Sequence, residues 1–109
     1  MAITYKVLAQ SAPSATTNTD VYTVGASKQV VISTITVCNR AASAATYRIA
    51  VRPNGATLAN EHYIVYDTQV PANDTISLTL GITADAADVV TVYASTANLS
   101  FNLFGTEIA

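Results

Sequence analysis

The sequence predicts an all-β protein: a single antiparallel β-sandwich, jelly-roll-like, with about eight strands. Hydrophobic side chains recur at every second residue, in segments rich in Val, Ile, Thr and Tyr, which favour strands. Turn-forming residues separate these segments at intervals of roughly 8 to 12 residues. No helical pattern between them is long enough for the crossover that parallel strands require. An antiparallel sandwich or barrel therefore fits best, with the jelly roll as first choice.

Each predicted strand is a short alternating segment that ends at residues favouring a turn. The strands are predicted over residues 4–9, 20–24, 29–39, 45–52, 62–67, 75–80, 89–94 and 99–107. The polar segment 10–18 and the segment 81–88 are read as connections. The loop 56–61 is long enough for one helical turn but too short for a stable helix.

The third segment is apolar on both faces, which predicts a central strand covered on both sides. Simple alternation places five of its residues on one common face: Val30, Ile32, Thr34, Thr36 and Cys38.

The fourth segment alternates most clearly. It directs Tyr47, Ile49 and Val51 towards the core and Arg48 and Arg52 outwards. The turn Pro53, Asn54 and Gly55 ends it, because proline presets φ and the next two residues tolerate left-handed conformations. In the sixth segment, the same alternation predicts three inward residues: Ile76, Leu78 and Leu80.

Length and composition limit the class of protein. A chain of 109 residues forms one domain, spanning residues 1–109. The hydrophobic fraction of 50% predicts a folded core, and polar residues interrupt every apolar run, so no transmembrane helix and no membrane partner are expected. A net charge of −2 with five Lys and Arg residues argues against nucleic acid as a partner. The first residues lack the pattern of a secretory signal.

No enzyme, cofactor or metal site is predicted. The single Cys38 and the single His62 cannot form a disulfide or a Cys/His zinc site, and no nucleophile with its base is recognisable. Four aspartates lie in or near turns, where they usually bond backbone groups, and their spacing matches no calcium motif. These aspartates are Asp67, Asp74, Asp85 and Asp88.

Arginine and tyrosine, which are enriched at protein interfaces, supply the candidate interaction residues. The only cluster of basic residues fits either a partner surface or a solvated sheet face. It consists of Arg40, Arg48 and Arg52, with Tyr47 between them in the sequence. The low charged fraction of 11% favours burial of part of the surface in a homo-oligomer. The complete set of interface candidates is Arg40, Tyr47, Arg48, Arg52, His62, Tyr63 and Tyr66.

Three stretches carry a resemblance to a known family: VISTITVCN at 31–39, YRIAVRP at 47–53 and SFNLFG at 100–105, with PANDT at 71–75 between them. They resemble small virion structural proteins of tailed phages that infect cyanobacteria and other aquatic bacteria. The resemblance spans nearly the whole chain. It implies a capsid decoration or cement protein on the virion surface, a homotrimer of β-sandwich domains, and the major capsid protein as partner. It brings no catalytic residues.

Two roles within the virion remain open. As a decoration protein, the chain would contact the capsid through Arg48, Arg52 and the segment 11–19. As a tail, baseplate or fibre module, it would bind host glycans through exposed aromatic side chains such as Tyr63 and Tyr66.

Overall fold

The computed structural model describes residues 1–109 and confirms an all-β sandwich of two antiparallel sheets. The strands are β1 (Ile3–Ser11), β2 (Thr19–Thr23), β3 (Gln29–Asn39), β4 (Ala45–Arg52), β5 (Tyr63–Val70), β6 (Thr75–Leu78), β7 (Ile82–Asp85), β8 (Val89–Ala94) and β9 (Leu99–Ile108). Two single 3-10 turns, Pro53–Gly55 and Asn60–His62, connect β4 to β5. Neither helical segment has the length and apolarity needed to cross a membrane.

The strand order is that of a jelly roll. The larger sheet has the order β1-β9-β3-β6, with β7 also paired to β3, and the smaller sheet has the order β2-β8-β4-β5. The pairs β1:β9, β2:β8 and β4:β5 are nested like those of one long hairpin with β4 and β5 at its tip. When the hairpin rolls up, β3 also pairs with β9 and β4 also pairs with β8, and these contacts complete the two sheets.

One strand of the roll is split into two pieces. β6 and β7 pair with successive halves of β3, so together they occupy one position in the sheet. Gly81 lies between them with φ +62°, a left-handed conformation that interrupts the strand. Two predictions were therefore wrong: the segment 81–88 contains a strand, and Leu80 is 51% exposed instead of facing the core.

A bulge in β3 changes which of its side chains face the core. Ile32 is opposite Gly105 and Thr34 is opposite Phe104, so Ser33 is an extra residue in β3. An extra residue reverses the alternation downstream of it. The buried residues of β3 are Val30 and Ile32 before the bulge, and Ile35, Val37 and Asn39 after it.

The predicted common face of β3 was correct only up to Ile32, because Thr34, Thr36 and Cys38 lie on the opposite side of the sheet from Val30 and Ile32. β3 is a central strand as predicted, between β9 and the split strand. Its outer face, however, is only half-buried, since a second sheet covers one side of β3 alone.

The hydrophobic core lies between the two sheets. Tyr47 of β4 and Phe101 of β9 are its largest side chains, and their rings meet edge to face with centroids 6.2 Å apart. Aromatic pairs in this geometry contribute about 0.5–1.5 kcal/mol beyond the area they bury. Both sheets therefore supply the centre of the core.

Asn39 is a buried polar residue whose side chain is fully used. The two N–H groups of its amide share three acceptors, the carbonyls of Ser43, Val70 and Pro71, at 2.9, 3.2 and 3.3 Å from Nδ2. Its carbonyl oxygen accepts the Ala41 N–H at 3.0 Å. A buried amide is tolerated when its own donors and acceptor are hydrogen-bonded, as they are here. Through these bonds Asn39 connects the end of β3 to the turn before β4 and the turn after β5.

Replacing Gly105 with alanine should destabilise the fold strongly. A Cβ atom at this position would overlap the Val31 carbonyl oxygen, and backbone atoms cannot move aside as a flexible side chain can. We expect Gly105→Ala to lower the free energy of unfolding by about 3 kcal/mol or more, measured by urea denaturation.

Gly81→Ala is the matched control for this substitution. A Cβ there meets nothing within 4 Å, and only the positive φ of +62° opposes it. Its expected loss is about 1–2 kcal/mol. Equal losses at the two glycines would contradict the close approach of β9 to the bulge.

Candidate functional site

The outer face of the smaller sheet carries a cluster of aromatic and arginine side chains. Arg48 points outwards from β4 and is directly opposite Tyr93 of β8. Its guanidinium carbon lies 4.2 Å from the ring centroids of both Tyr66 and Tyr93. Cation–π attraction at this distance holds the three side chains together. We call Arg48, Tyr63, Tyr66, Asp67 and Tyr93 the Tyr–Arg cluster.

Asp67 fixes the orientation of Arg48. The Arg48 Nε and Nη2 donate to the two carboxylate oxygens of Asp67, at 2.7 and 3.3 Å. This two-point contact raises the pKa of Arg48 above its usual value, mainly through the hydrogen bond to Asp67. Asp67 has φ +52°, and the β4:β5 register shifts between Tyr47 and Ile49, where β5 has one extra residue. That irregularity brings Tyr66 and Asp67 together over Arg48.

Tyr63 extends the cluster towards the 3-10 turn before β5. Its ring is perpendicular to that of Tyr66, with centroids 4.9 Å apart and an interplanar angle of 85°. Asn60, Tyr63 and Tyr66 line an open cleft of about 400 Å³. Tyr66 is 57% exposed, so this cleft offers an accessible aromatic surface beside a polar amide.

Arg52 belongs to a separate network on the same sheet. It contacts Asp20 through Nη2 at 2.9 Å and donates to Thr91 through Nε at 3.1 Å and to the Ala56 carbonyl through Nη1 at 3.0 Å. The Thr91 hydroxyl in turn donates to Asp20 at 2.8 Å. Arg52 therefore joins β2, β8 and β4, and its charge is largely committed within the domain.

The other interface candidates do not join the Tyr–Arg cluster. Tyr47 is fully buried, so its assignment as an interface residue was wrong: its inward position on β4 places it in the core. Burial raises the pKa of its hydroxyl. Arg40 is exposed and donates to the Ala97 carbonyl at 3.0 Å. His62 lies in the 3-10 turn, outside the strand predicted to begin there, and its Nδ1 accepts the Ala59 N–H at 3.0 Å.

Four members of these networks were not predicted as such from the sequence: Tyr93, Asp67, Asp20 and Thr91. A signal for Tyr93 was present, since alternation in 89–94 directs Val90, Val92 and Ala94 inwards and leaves Tyr93 outside. Its pairing with Arg48 depends on the register between β4 and β8, which a single strand pattern does not contain.

Three of the four aspartates predicted in turns bond backbone groups, whereas Asp67 lies within β5 and its carboxylate binds Arg48 instead. The Asp88 carboxylate accepts the N–H groups of Asn54 and Asp85, both at 2.8 Å, and Asp74 accepts the Thr75 N–H at 2.8 Å. The chain holds no group of three or more His, Cys, Asp or Glu side chains placed to bind a metal ion.

The segment 11–19, a candidate capsid contact, is attached to the smaller sheet. The Thr16 N–H donates to the Ala94 carbonyl at 2.8 Å, and Pro13 is buried.

Glu107 is the centre of a cluster that contains two lysines and a tyrosine. Its carboxylate contacts Lys28 at 3.2 Å and Lys6 at 3.4 Å, and it accepts the Tyr22 hydroxyl at 3.1 Å. The bond to Lys28 contributes most to holding the pKa of Glu107 below its ordinary value, with Tyr22 and Lys6 adding to it against the opposing effect of desolvation. Burial, together with Glu107, raises the pKa of Tyr22 to about 12. This cluster connects β1 and β9 of one sheet to β2 of the other.

The exposed Tyr–Arg cluster can offer a partner aromatic rings, a guanidinium edge and a cleft, all held in one geometry. No known protein-family model matches this chain, and no curated protein matches it.

Glu107→Gln should make the melting temperature of the protein less dependent on pH in the acidic range. Because the folded pKa of Glu107 is depressed, its stabilisation is present above the ordinary carboxyl pKa and is lost as pH falls through the folded value. We expect the melting temperature of the native chain to fall more steeply than that of Glu107→Gln between roughly pH 5 and pH 3.

Glu61→Gln is the control, because exposed Glu61 takes part in none of the four ion pairs. Thermal denaturation across this pH range should give Glu61→Gln the native profile. An unchanged slope in Glu107→Gln would contradict the role assigned to the cluster.

Proposed function

We propose that this chain is a non-enzymatic structural protein of a phage virion, a capsid decoration protein that forms homo-oligomers and bridges neighbouring major capsid protein subunits. The observation that carries the proposal is the Tyr–Arg cluster. Arg and Tyr dominate the residues that contribute most to protein interfaces. Here Arg48 is held by Asp67 and two tyrosine rings, so binding a partner orders few additional side chains.

The fold and the resemblance support this assignment from two further directions. Jelly rolls recur in viral capsid and lectin domains, an analogy that is compatible with either virion role. The stretches at 31–39, 47–53 and 100–105 resemble phage virion proteins. In the structure they form β3, β4 and β9, which are interior strands of the two sheets.

A decoration protein needs no reaction chemistry. A protein that binds the assembled shell better than its dissociated subunits stabilises the shell by mass action. Symmetry repeats the contact over the whole particle, so an interface that is weak in one copy becomes strong in total. The role requires a surface that binds the shell, and the Tyr–Arg cluster is the surface that we assign to it.

Copy number in the virion tests the location. We expect quantitative mass spectrometry of purified virions to find hundreds of copies in a simple ratio to the major capsid protein, since a decoration protein covers a symmetric shell. Absence from the particle would contradict the whole proposal. About a dozen copies would contradict the capsid location and place the protein in the collar, tail or baseplate.

Arg48→Ala tests the contact surface. Removing the guanidinium frees Tyr66 and Tyr93 from their shared contact, so we expect capsid occupancy to fall at least about tenfold. Arg40→Ala is the matched control, because Arg40 is an exposed arginine outside the Tyr–Arg cluster. Occupancy is measured by sedimenting capsids mixed with each variant, after urea denaturation has confirmed that both are folded. Equal occupancy of the two variants would remove the Tyr–Arg cluster from the capsid interface.

The second candidate function is host-glycan binding by a tail, baseplate or fibre-associated module. The cleft lined by Asn60, Tyr63 and Tyr66 favours it, because sugar rings stack on exposed aromatic faces while an amide bonds their hydroxyls. Binding to a glycan array that is lost in Tyr63→Ala would support this function over decoration. No binding at high protein concentration would count against it.

A further inference from the structure

The first strand has a free edge. β1 is the end strand of the larger sheet and pairs there with β9 alone. From Ile3 to Val7 its register against β9 is continuous, and a bulge follows at Leu8. An edge strand presents unpaired N–H and C=O groups to any strand that can align with it.

The hydrogen-bond pattern identifies which groups are unpaired. Ala2 and Ala109 exchange both of their backbone hydrogen bonds, at 3.1 and 2.9 Å. In an antiparallel ladder such pairs alternate with pairs that make no bond to each other. Thr4 and Lys6 therefore bond to β9, and three residues direct their N–H and C=O groups to the free edge. These residues are Ile3, Tyr5 and Val7.

The same three residues leave their side chains exposed. The exposed fractions are 52% for Ile3, 83% for Tyr5 and 49% for Val7. They lie on the outer face of the sheet, beside Phe104 of β9, which is opposite Val7. Within five consecutive residues, three thus combine free backbone groups with exposed apolar side chains, a combination that monomeric proteins usually avoid.

The other edges of the sandwich are less suited to pairing. The register of β2 against β8 shifts between Asp20 and Tyr22, and β6 and β7 are four-residue pieces separated by Gly81. The register of β5 shifts twice against β4, and Asp67 interrupts it with a positive φ. β1 is the edge with the longest regular ladder.

We propose that β1 pairs antiparallel with β1 of a second copy of this chain about a two-fold axis at Tyr5. In this register the two Tyr5 residues face each other, and Ile3 is opposite the partner's Val7. The free groups at the three positions then form roughly six main-chain hydrogen bonds. The two larger sheets become one continuous sheet, and the apolar side chains of both copies meet on its outer face.

Lys6 is the residue that could oppose this pairing, since edge lysines often prevent it. Its side chain is directed back to Glu107 of its own chain, at 3.4 Å, and its backbone bonds to β9. The charge therefore does not occupy the free edge. The bulge at Leu8 confines the contact to residues 3–7.

This inference supplies the self-contact of the homo-oligomer in the proposed function and rests on that part of it, with a two-fold dimer in place of the homotrimer that the resemblance implies. Sedimentation velocity over a dilution series should give the native chain twice the mass of one 11.4 kDa subunit. Tyr5→Lys places two like charges opposite each other at the axis, and we expect it to raise the dimer dissociation constant about 100-fold.

Ile64→Lys is the matched control for Tyr5→Lys. It also adds a lysine at an exposed apolar position of an edge strand, β5, where Ile64 is 44% exposed. It should dimerise like the native chain. A monomeric or trimeric native chain, or a dimer unaffected by Tyr5→Lys, would overturn the inference.

Cysteine cross-linking tests the register. In a Cys38→Ser background, Tyr5→Cys should form an intersubunit disulfide on mild oxidation, because the two positions face each other within bonding distance. Ile3→Cys should not form a disulfide, because position 3 of one subunit is four residues, or about 13 Å along the strands, from position 3 of the other. Efficient linkage at position 3, or none at position 5, would contradict the two-fold axis at Tyr5.

These measurements use the isolated chain, whereas the copy number is measured in virions. A monomeric chain found at hundreds of copies per virion would overturn the edge pairing and leave the capsid role standing. A dimer that is absent from the capsid would overturn the capsid role and leave the edge pairing standing.

Discussion

The ladder between β3 and β9 is the contact on which the rest of the structure depends. It joins ten residue pairs and separates the exposed edge β1 from the split strand formed by β6 and β7. The bulge at Ser33 sets both halves of β3 facing the core, and Gly105 lets the two backbones approach there. Without that extra residue, alternation would turn Ile35 and Val37 to the outside. The core between the sheets therefore depends on one irregularity in its central strand.

Every cationic side chain of the domain has an acceptor within the chain. Lys6 and Lys28 share Glu107, Arg48 binds Asp67, Arg52 binds Asp20, and Arg40 donates to the Ala97 carbonyl. Long-range attraction by a basic patch consequently contributes little to partner recognition. The exposed features of the surface are aromatic rings and a strand edge instead of unpaired charges.

The two candidate contacts lie in different sheets. The Tyr–Arg cluster is on the outer face of the smaller sheet, whereas the apolar edge β1 belongs to the larger one. Pairing through β1 would therefore leave the Tyr–Arg cluster accessible in each copy. A linked pair of subunits that presents two rigid surfaces can hold a repetitive shell more strongly than a single subunit can, because the second contact forms at high effective concentration.

The all-β class and most strand positions could be predicted from the sequence, because alternation and turn residues act over a few neighbours: β3, β4 and β8 have the predicted bounds. The outward positions of Arg48 and Arg52 could be predicted for the same reason. Three features could not: the bulge at Ser33, the splitting of the sixth strand, and the contact of Arg48 with Tyr93. The physical reason is that register is set between strands far apart in the chain, by packing of both sheets at once, whereas a sequence pattern describes one strand at a time.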